Sequence, residues 1–303
     1  MNILVVGHFC LDVIHPEDGP KTESYGGIYY SMVALAGLLG KEGTVIPVFG
    51  VNKQDYGPLI EHLKEFQNID PSGIFRFDDP TNTVELFYEK DGRKERSTNI
   101  AQPIPYEKIR RHMSVDGILI NMISGFDISL ETLDHLRMAI RPRSTPMHLD
   151  LHSLTLGVTA DHGRFRRPVE EWRRWAFMID TVQLNEEEMA GLSAHKMEER
   201  ELAGHLLTLG IKGVVVTRGA RGATLFWNEK KKIAMADVPA GGNGKVADTT
   251  GCGDVFGAAF FLKYVQTQDL SAAAAFGNSA AGRRLGEVGS SQLYRQLSGM
   301  SIA

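Results

Sequence analysis

Short apolar runs rich in β-branched residues alternate with stretches of helical periodicity along most of this chain. This alternation constrains the fold more than any other feature of the sequence. The strand-like runs cover residues 3–6, 44–48, 117–120, 147–151, 178–183 and 213–217. The helical stretches cover residues 28–39, 57–64, 129–138 and 196–209. Strands that alternate with helices form a mostly parallel sheet, so the sequence predicts a doubly wound α/β fold.

Two segments interrupt this alternation early in the chain. Residues 13–26 are polar and rich in turn formers, and residues 83–97 alternate between apolar and polar positions before a turn at 90–93. The second pattern is typical of a β-hairpin. We therefore predict one main α/β domain with a small β-rich lid. The main domain would comprise residues 1–12, 27–82 and 98–303, and the lid residues 13–26 and 83–97.

Composition excludes several classes of protein. The chain has 303 residues, with 33 Lys and Arg against 37 Asp and Glu, and its net charge of −4 argues against a nucleic-acid partner. A hydrophobic content of 43% is enough for a large core, and no apolar run approaches the roughly 20 residues that span a bilayer. Cys10 and Cys252 are too few for a disulfide framework, and the first residues lack the features of a secretory signal. We expect a cytoplasmic protein.

The most informative segment is 248–254, with the sequence DTTGCGD, which precedes an apolar helical stretch. A glycine turn that enters a helix gathers unpaired amides at the positive end of the helix dipole and can hold a phosphate-sized anion. The carboxylate of Asp254 would repel such an anion unless it accepts a proton from an attacking hydroxyl. Its position at the helix start should keep it ionised. The alternative is that Asp254 only caps the helix.

Segment 248–254 resembles the C-terminal signature D-T-x-G-A-G-D of the PfkB, or ribokinase-like, kinases, with Cys252 at the alanine position. Further segments resemble motifs of the same family in the same order along the chain. They are the Gly26-Gly27 pair with the following helix, residues 49–57, residues 185–188 and residues 215–222. The resemblance implies a ribokinase-like three-layer α/β/α core that binds nucleotide, with a small β lid. It also implies ATP-dependent phosphorylation of a hydroxymethyl group, that is, a phosphotransferase with an alcohol acceptor.

The resemblance also implies roles for individual residues. Asp254 would be the general base, and the amides of Gly251, Cys252 and Gly253 would stabilise charge on the transferred phosphoryl group. The acceptor would be bound by Asp12, Gly26, Gly27 and Ser31. The nucleotide would be bound by Asn185, Thr217, Gly219, Gly222 and Asn278. Glu188 would organise Mg²⁺ through water, and Asp248 and Thr250 are compatible with a monovalent cation such as K⁺.

Local alternatives exist for several of these residues. Asn185 and Glu188 also fit a helix cap that needs no metal, and Asp12 fits a polar loop at a strand end. Two positions depart from the family pattern. Ser31 stands where the family has an acceptor-binding Asn, and residues 150–153 read DLHS where the family often has Asp-x-Asn-x-Arg. The resemblance therefore does not carry over the acceptor contact at Ser31 or one contact on the phosphate side.

The acceptor is either a nucleoside or a free sugar. Five aromatic residues favour a nucleoside, because stacking on aromatic rings contributes about 1–3 kcal/mol per base. They are Phe9, Tyr25, Tyr29, Tyr30 and Phe87. The competing interpretation is that these rings belong to the core, and a sugar kinase of the ribokinase or fructokinase type is then the alternative. A homodimer formed through the lid would suit either acceptor.

Two rival functions come from other classes of enzyme. Residues 251–257 also fit a G-x-G-x-x-x-G dinucleotide loop, as in a nicotinamide-dependent oxidoreductase, although only 49 residues follow Asp254. His148, Asp150 and His152 alternate along a predicted strand and could face the same side, as the ligands of a metal hydrolase would.

Overall fold

The computed structural model describes residues 1–17, 19–89, 92–241, 249–285, 290 and 292–300. Its strands are β1 (Asn2–Val6), β2 (Phe9–His15), β3 (Thr22–Gly27), β4 (Thr44–Asn52), β5 (Ile74–Phe77), β6 (Thr83–Glu89), β7 (Gly92–Thr98), β8 (Gly117–Asn121), β9 (Met147–Asp150), β10 (Leu156–Val158), β11 (Arg164–Arg166), β12 (Thr181–Asn185), β13 (Gly213–Thr217), β14 (Ala223–Glu229) and β15 (Lys232–Val238). Its α-helices are α1 (Ile28–Leu39), α2 (Lys53–Leu63), α3 (Tyr106–Ile109), α4 (Leu130–Ile140), α5 (Trp172–Phe177), α6 (Glu186–Gly191), α7 (Glu199–Thr208), α8 (Cys252–Thr267), α9 (Leu270–Arg284) and α10 (Leu293–Leu297). Within the described part of the chain, no helix is both long and apolar enough to cross a membrane.

Nine strands form one large sheet in the order β15-β14-β13-β12-β9-β8-β1-β4-β5. The seven strands from β13 to β5 are parallel, and β14 and β15 extend one edge in antiparallel pairing. The helices pack in two separate groups, one containing α1, α8, α9 and α10 and the other α3, α4, α5 and α7. Helix α1 is buried along its whole length because it is apolar on every side. The predicted α/β core with a mostly parallel sheet is confirmed.

The carboxyl ends of neighbouring parallel strands meet at one edge of this sheet. Strand β8 ends at Asn121, β9 at Asp150, β12 at Asn185 and β13 at Thr217. Asn121 is the register partner of Asp150, and Asn185 that of Thr217. Ligands of open α/β sheets bind at this edge. Four polar side chains from distant parts of the sequence are therefore adjacent where a ligand is expected.

A second sheet has four strands in the order β3-β2-β6-β7. It includes most of the two segments assigned to the lid, but it begins at Phe9 and ends its first hairpin at Gly27. Residues 9–12 pair with β3 instead of continuing β1, because the strand geometry breaks at Gly7 and His8. The boundary predicted after residue 12 therefore differs from the observed strand. The role of this sheet as a lid stays a prediction.

Several element boundaries also differ from the sequence prediction, among them the starts of α2 and β12. Helix α2 starts at Lys53 and not at residue 57, because the Asn52 side chain accepts a hydrogen bond from the amide of Gln54 and starts the helix earlier. Strand β12 starts at Thr181 and not at residue 178, because α5 extends to Phe177.

Candidate active site

A cavity of about 400 Å³ lies at the carboxyl edge of the large sheet and is lined by residues of both sheets. Of the predicted site residues, it is lined by Asp12, Gly27, Asn185, Glu188, Thr217, Thr250, Gly251, Gly253 and Asp254. Other predicted site residues do not line it, namely Gly26, Ser31, Gly219, Gly222, Cys252 and Asn278. Asp248 lies outside the described residues. The cavity thus brings together four of the five motifs that the sequence singled out, and residues 49–57 are the motif that does not line it.

The glycine turn at the start of α8 forms one wall of the cavity. Gly251 is left-handed, with φ of 77°, and a Cβ at this position would overlap the ring of Tyr30. No described residue caps the 16-residue helix that follows with its side chain, and the amides of its first turn have no carbonyl partners within the helix. The amide of Cys252 donates to the carbonyl of Thr249 at 3.2 Å and closes the turn. The remaining amides of this helix end form a site suited to an anion.

Asp254 lies on the first turn of α8 and is only 7% exposed. Its Oδ1 accepts a hydrogen bond of 2.6 Å from Nδ2 of Asn121, and the same Nδ2 donates to Oγ of Ser31 at 3.0 Å. Because Gly251 is the N-cap, the alternative of Asp254 as the helix cap is wrong. Ser31 does not line the cavity, and its buried hydroxyl contacts Asn121 instead. The sequence analysis missed Asn121, since nothing local distinguishes an Asn at the end of an apolar strand.

Asp254, His152 and Glu188 line the inner end of the cavity, and the buried carboxylate of Asp150 interacts with them. Burial raises the pKa of Asp254, although the charge of His152 and the bond from Asn121 oppose it. Burial likewise raises the pKa of Asp150 well above its usual range. Burial disfavours the His152 cation, but the carboxylates of Asp254, Asp150 and Glu188 outweigh this effect and raise the pKa of His152. The upward pKa shift of Asp254 is opposite to the direction expected from its helix position alone.

Gln183 of β12 connects the sheet to the glycine turn. Its Nε2 donates to Oδ2 of Asp150 at 3.3 Å and to the carbonyl oxygen of Gly253 at 3.0 Å. A Cβ on Gly253 would meet nothing closer than this Nε2, at 3.8 Å. Gln183 therefore holds the glycine turn from the side of the sheet, and the space around Gly253 on the other side stays open.

Asn185 and Glu188 form a complete capping box at the start of α6. The carboxylate of Glu188 accepts from the Asn185 amide at 2.8 Å and from its Nδ2 at 2.7 Å, and Oδ1 of Asn185 accepts from the Glu188 amide at 2.9 Å. These contacts are those of the helix cap that the sequence offered as an alternative. Both residues also line the cavity. The described residues include no group of three His, Cys, Asp or Glu side chains that could hold a metal ion.

Asp12 and the two glycines of the Gly26-Gly27 pair come from the small sheet. Asp12 is 5% exposed and faces the cavity from β2. A Cβ on Gly26 would overlap the Asp12 carboxylate, and one on Gly27 would overlap the carbonyl of His8. The glycines therefore allow β3 to approach β2 closely, and Asp12 is the member of this group that presents polar atoms to a ligand.

Only some of the residues predicted to bind the nucleotide line the cavity. Thr217 lines the cavity, whereas Gly219 and Gly222 shape a left-handed turn beyond the end of β13. Nδ2 of Asn278 donates to the carbonyls of Val238 and Pro239 at 2.9 Å each and so holds the end of β15.

Most of the aromatic residues that favoured a nucleoside lie outside this cavity. Phe9 is buried in the core, and Tyr25 and Tyr29 line a second cavity, of about 660 Å³, that shares Asp12 with the first. Phe9 stacks on Phe49 with centroids 5.2 Å apart, and the hydroxyl of Tyr29 lies 2.6 Å from His62. Phe87 stacks on His15 at 4.4 Å. Of the five rings, only that of Tyr30 belongs to the lining of the first cavity, where it lies against Gly251.

The two rival functions do not fit the geometry. His148 is fully buried, shares a hydrogen bond of 2.8 Å with Thr181 and packs between Phe260 and Phe261, so it does not face a common metal site with His152. Among the residues that the structure describes, no central parallel strand precedes the glycine turn, as one would precede a dinucleotide loop. The strand that precedes it in the chain is β15, the antiparallel edge.

Comparisons with known proteins agree with this geometry. Residues 163–295 match the model of the pfkB family carbohydrate kinases. This region belongs to the PfkB family. It contains the glycine turn, the capping box and the Thr217 strand, so the resemblance seen in the motifs is confirmed.

One curated relative and two solved structures give further similarities. A ribokinase of Arabidopsis thaliana is 34% identical over 107 residues, which are 34% of this chain and 27% of that protein. The match thus spans about a quarter of that curated relative. The structure of Arabidopsis thaliana ribokinase complexed with ribose and ATP superposes with a TM-score of 0.71 at 17% identity, covering 99% of both chains. A pyrophosphate-dependent kinase of the ribokinase family gives a TM-score of 0.75 at 17% identity, covering 99% of this chain and 100% of the other. The whole chain therefore has the ribokinase fold.

Proposed function

We propose that this protein is a kinase that transfers the terminal phosphoryl group of ATP to a hydroxymethyl group of a sugar or a nucleoside. One observation carries the proposal. A buried carboxylate, that of Asp254, is fixed by Asn121 beside an uncapped helix start and shares one cavity with Asp12. Phosphoryl transfer needs such a base beside a group of anion-binding donors.

In the proposed reaction, Asp254 accepts the proton of the acceptor hydroxyl. The hydroxyl oxygen forms a bond to the terminal phosphorus while the bond from that phosphorus to the leaving ADP breaks. The amides of Gly251, the N-cap of α8, and of Gly253 in its first turn stabilise the charge on the phosphoryl group in transfer. The raised pKa of Asp254 suits this role, because a base is most effective when its pKa approaches the working pH.

Mg²⁺ would reach this site with the donor phosphates. Both carboxylate oxygens of Glu188 already accept bonds from Asn185, so Glu188 would contact the ion through water. Bound Mg²⁺ supplies charge neutralisation to the phosphates. A monovalent cation at Thr250 and Asp248 stays a prediction, as do the nucleotide contacts of Thr217, Gly219, Gly222 and Asn278.

For the acceptor, the cavity supports a sugar better than a nucleoside. The argument for a nucleoside was base stacking, and four of the five rings do not line the cavity. Val84, Leu86 and Asp12 of the small sheet line the acceptor side. The nucleoside hypothesis therefore becomes the alternative. A cytoplasmic location and a homodimer formed through the small sheet also stay predictions.

The test is a panel of ribose, fructose, adenosine, inosine and cytidine, assayed for ADP release with ATP as donor and for phosphate release with pyrophosphate. We expect turnover with ATP and a free sugar, and Asp254→Asn should lower it by at least about 100-fold while nucleotide binding persists. Asp269→Asn is the matched control, because Asp269 caps α9 outside the cavity and Asn caps equally well. Near-normal turnover of Asp254→Asn would remove this residue from the mechanism. Turnover confined to nucleosides would reject the sugar acceptor.

A further inference from the structure

Glu95 is a carboxylate of the cavity that none of the sequence motifs includes. It lies on β7 of the small sheet, opposite Leu86 of β6, and both side chains line the cavity. Val84 and Asp12 line it from the same sheet and are register partners on β6 and β2. The inner face of the small sheet therefore presents two apolar side chains between two carboxylates.

The position of Glu95 is fixed by a hairpin of the main domain, formed by β10 and β11. Nε of Arg164 on β11 lies 3.9 Å from Oε1 of Glu95, and the Arg164 side chain is 5% exposed. Its Nη2 donates to the carbonyl of Ser124 at 2.8 Å. The hairpin also joins the edge of β7, because the amide of Ser97 donates to the carbonyl of His162 at 3.0 Å. Glu95 is thus held on a connected element and not on a free loop.

The two carboxylates come from backbone positions that are well separated on the small sheet. Asp12 and Glu95 are on strands separated by β6, and two strand spacings amount to about 9.5 Å. A ligand that contacts both must extend across Val84 and Leu86. The C–H face of a ring fits that apolar strip, with polar groups at its two ends.

We propose that Glu95 determines acceptor specificity by accepting a hydrogen bond from a hydroxyl at the end of the acceptor opposite the Asp12 contact. This proposal rests on the proposed function and narrows it to a neutral, ring-shaped sugar or polyol. A cationic amino group at this position would meet the guanidinium of Arg164, whose charge already compensates Glu95. A nucleobase would place a flat polar edge against the apolar side chains of Val84 and Leu86.

The experiment measures acceptor binding and turnover separately. Calorimetric titrations with D-ribose, D-fructose, myo-inositol, D-glucose, D-glucosamine and adenosine are done in the presence of a non-hydrolysable ATP analogue, and the same acceptors are assayed for ADP release. Glu95→Gln keeps the size of the side chain and its contact with Arg164. Glu85→Gln is the matched control, because Glu85 lies on β6 with its carboxylate 3.2 Å from Nε2 of His15 and does not line the cavity.

We expect Glu95→Gln to weaken binding of the preferred neutral sugar or polyol about tenfold, in line with the loss of one charge-assisted hydrogen bond. KM for that acceptor should rise to match, while KM for ATP and the thermal midpoint stay near wild type. Glu85→Gln should change none of these values. The proposal is overturned if Glu95→Gln binds all acceptors as wild type does. It is also overturned if wild type prefers D-glucosamine to D-glucose, or if adenosine alone binds. Sugar binding that depends on Glu95 without any turnover would support the Glu95 site and reject the proposed kinase activity.

Discussion

Replacing Asn121 by Leu should shift the pH dependence of the reaction. Nδ2 of Asn121 donates the 2.6 Å hydrogen bond to Asp254 in a buried setting, and this bond lowers the pKa of Asp254. A hydrogen bond to a charged group contributes about 1.5–3 kcal/mol. Since one pKa unit corresponds to about 1.36 kcal/mol, its loss should raise the pKa of Asp254 by roughly one to two units.

The sign of the effect follows from the role of the base. Asp254 accepts a proton only when ionised, so kcat/KM falls as the pH drops through its pKa. In Asn121→Leu this acid limb should lie roughly one to two pH units higher, and activity should recover at alkaline pH. The assay is kcat/KM for the preferred acceptor between pH 5 and 10. Ser31→Ala is the control, because Ser31 accepts from the same amide without touching Asp254. A variant with lower activity but an unmoved acid limb would refute the assignment of Asn121.

Two further predictions concern the glycine turn and the core. Gly251→Ala should cost about 1–3 kcal/mol of stability and at least about tenfold in turnover, because the residue is left-handed and its Cβ would overlap Tyr30. Gly210→Ala, at a left-handed glycine with no atom near its Cβ, should lose stability without losing turnover, and equal losses of turnover would contradict this account. Burial lowers the pKa of His148 to about 3, so its stabilising contribution is complete above its unfolded pKa near 6.5 and is lost as the pH falls towards 3. Thermal midpoints of His148→Leu should therefore fall less steeply with acidification than those of wild type, and parallel curves would reject this prediction.

The fold was largely predictable because its signals are local. The apolar runs that became β1, β4, β8, β9 and β13 are bounded by turn residues, and the uncapped glycine entry to α8 is contiguous in sequence. The antiparallel edge of β14 and β15 was not predicted. The left-handed Lys230 and Lys231 form its turn, and two lysines give none of the glycine or asparagine signal by which such turns are recognised.

The site was predictable only in part because several of its contacts join distant residues. Asn121 and Asp254 are 133 positions apart, and no spacing rule relates them. Glu95 lines the cavity from β7 and looks like an ordinary polar residue in the sequence. His152 lines it from the turn after β9, whereas the sequence suggested a strand position and a metal-ligand role for it. Conversely, the aromatic cluster was overinterpreted, because composition does not distinguish a ring that lines a cavity from one packed against Phe49 or His62.

The central claim is that the terminal phosphoryl group of a nucleotide lies at the start of α8. A crystal structure with a non-hydrolysable ATP analogue tests it most directly. We predict that the terminal phosphate contacts the amides of Gly251 and Gly253, with the carboxylate of Asp254 on the side towards Asp12. Phosphates bound at another edge of the sheet, away from this turn, would contradict the account.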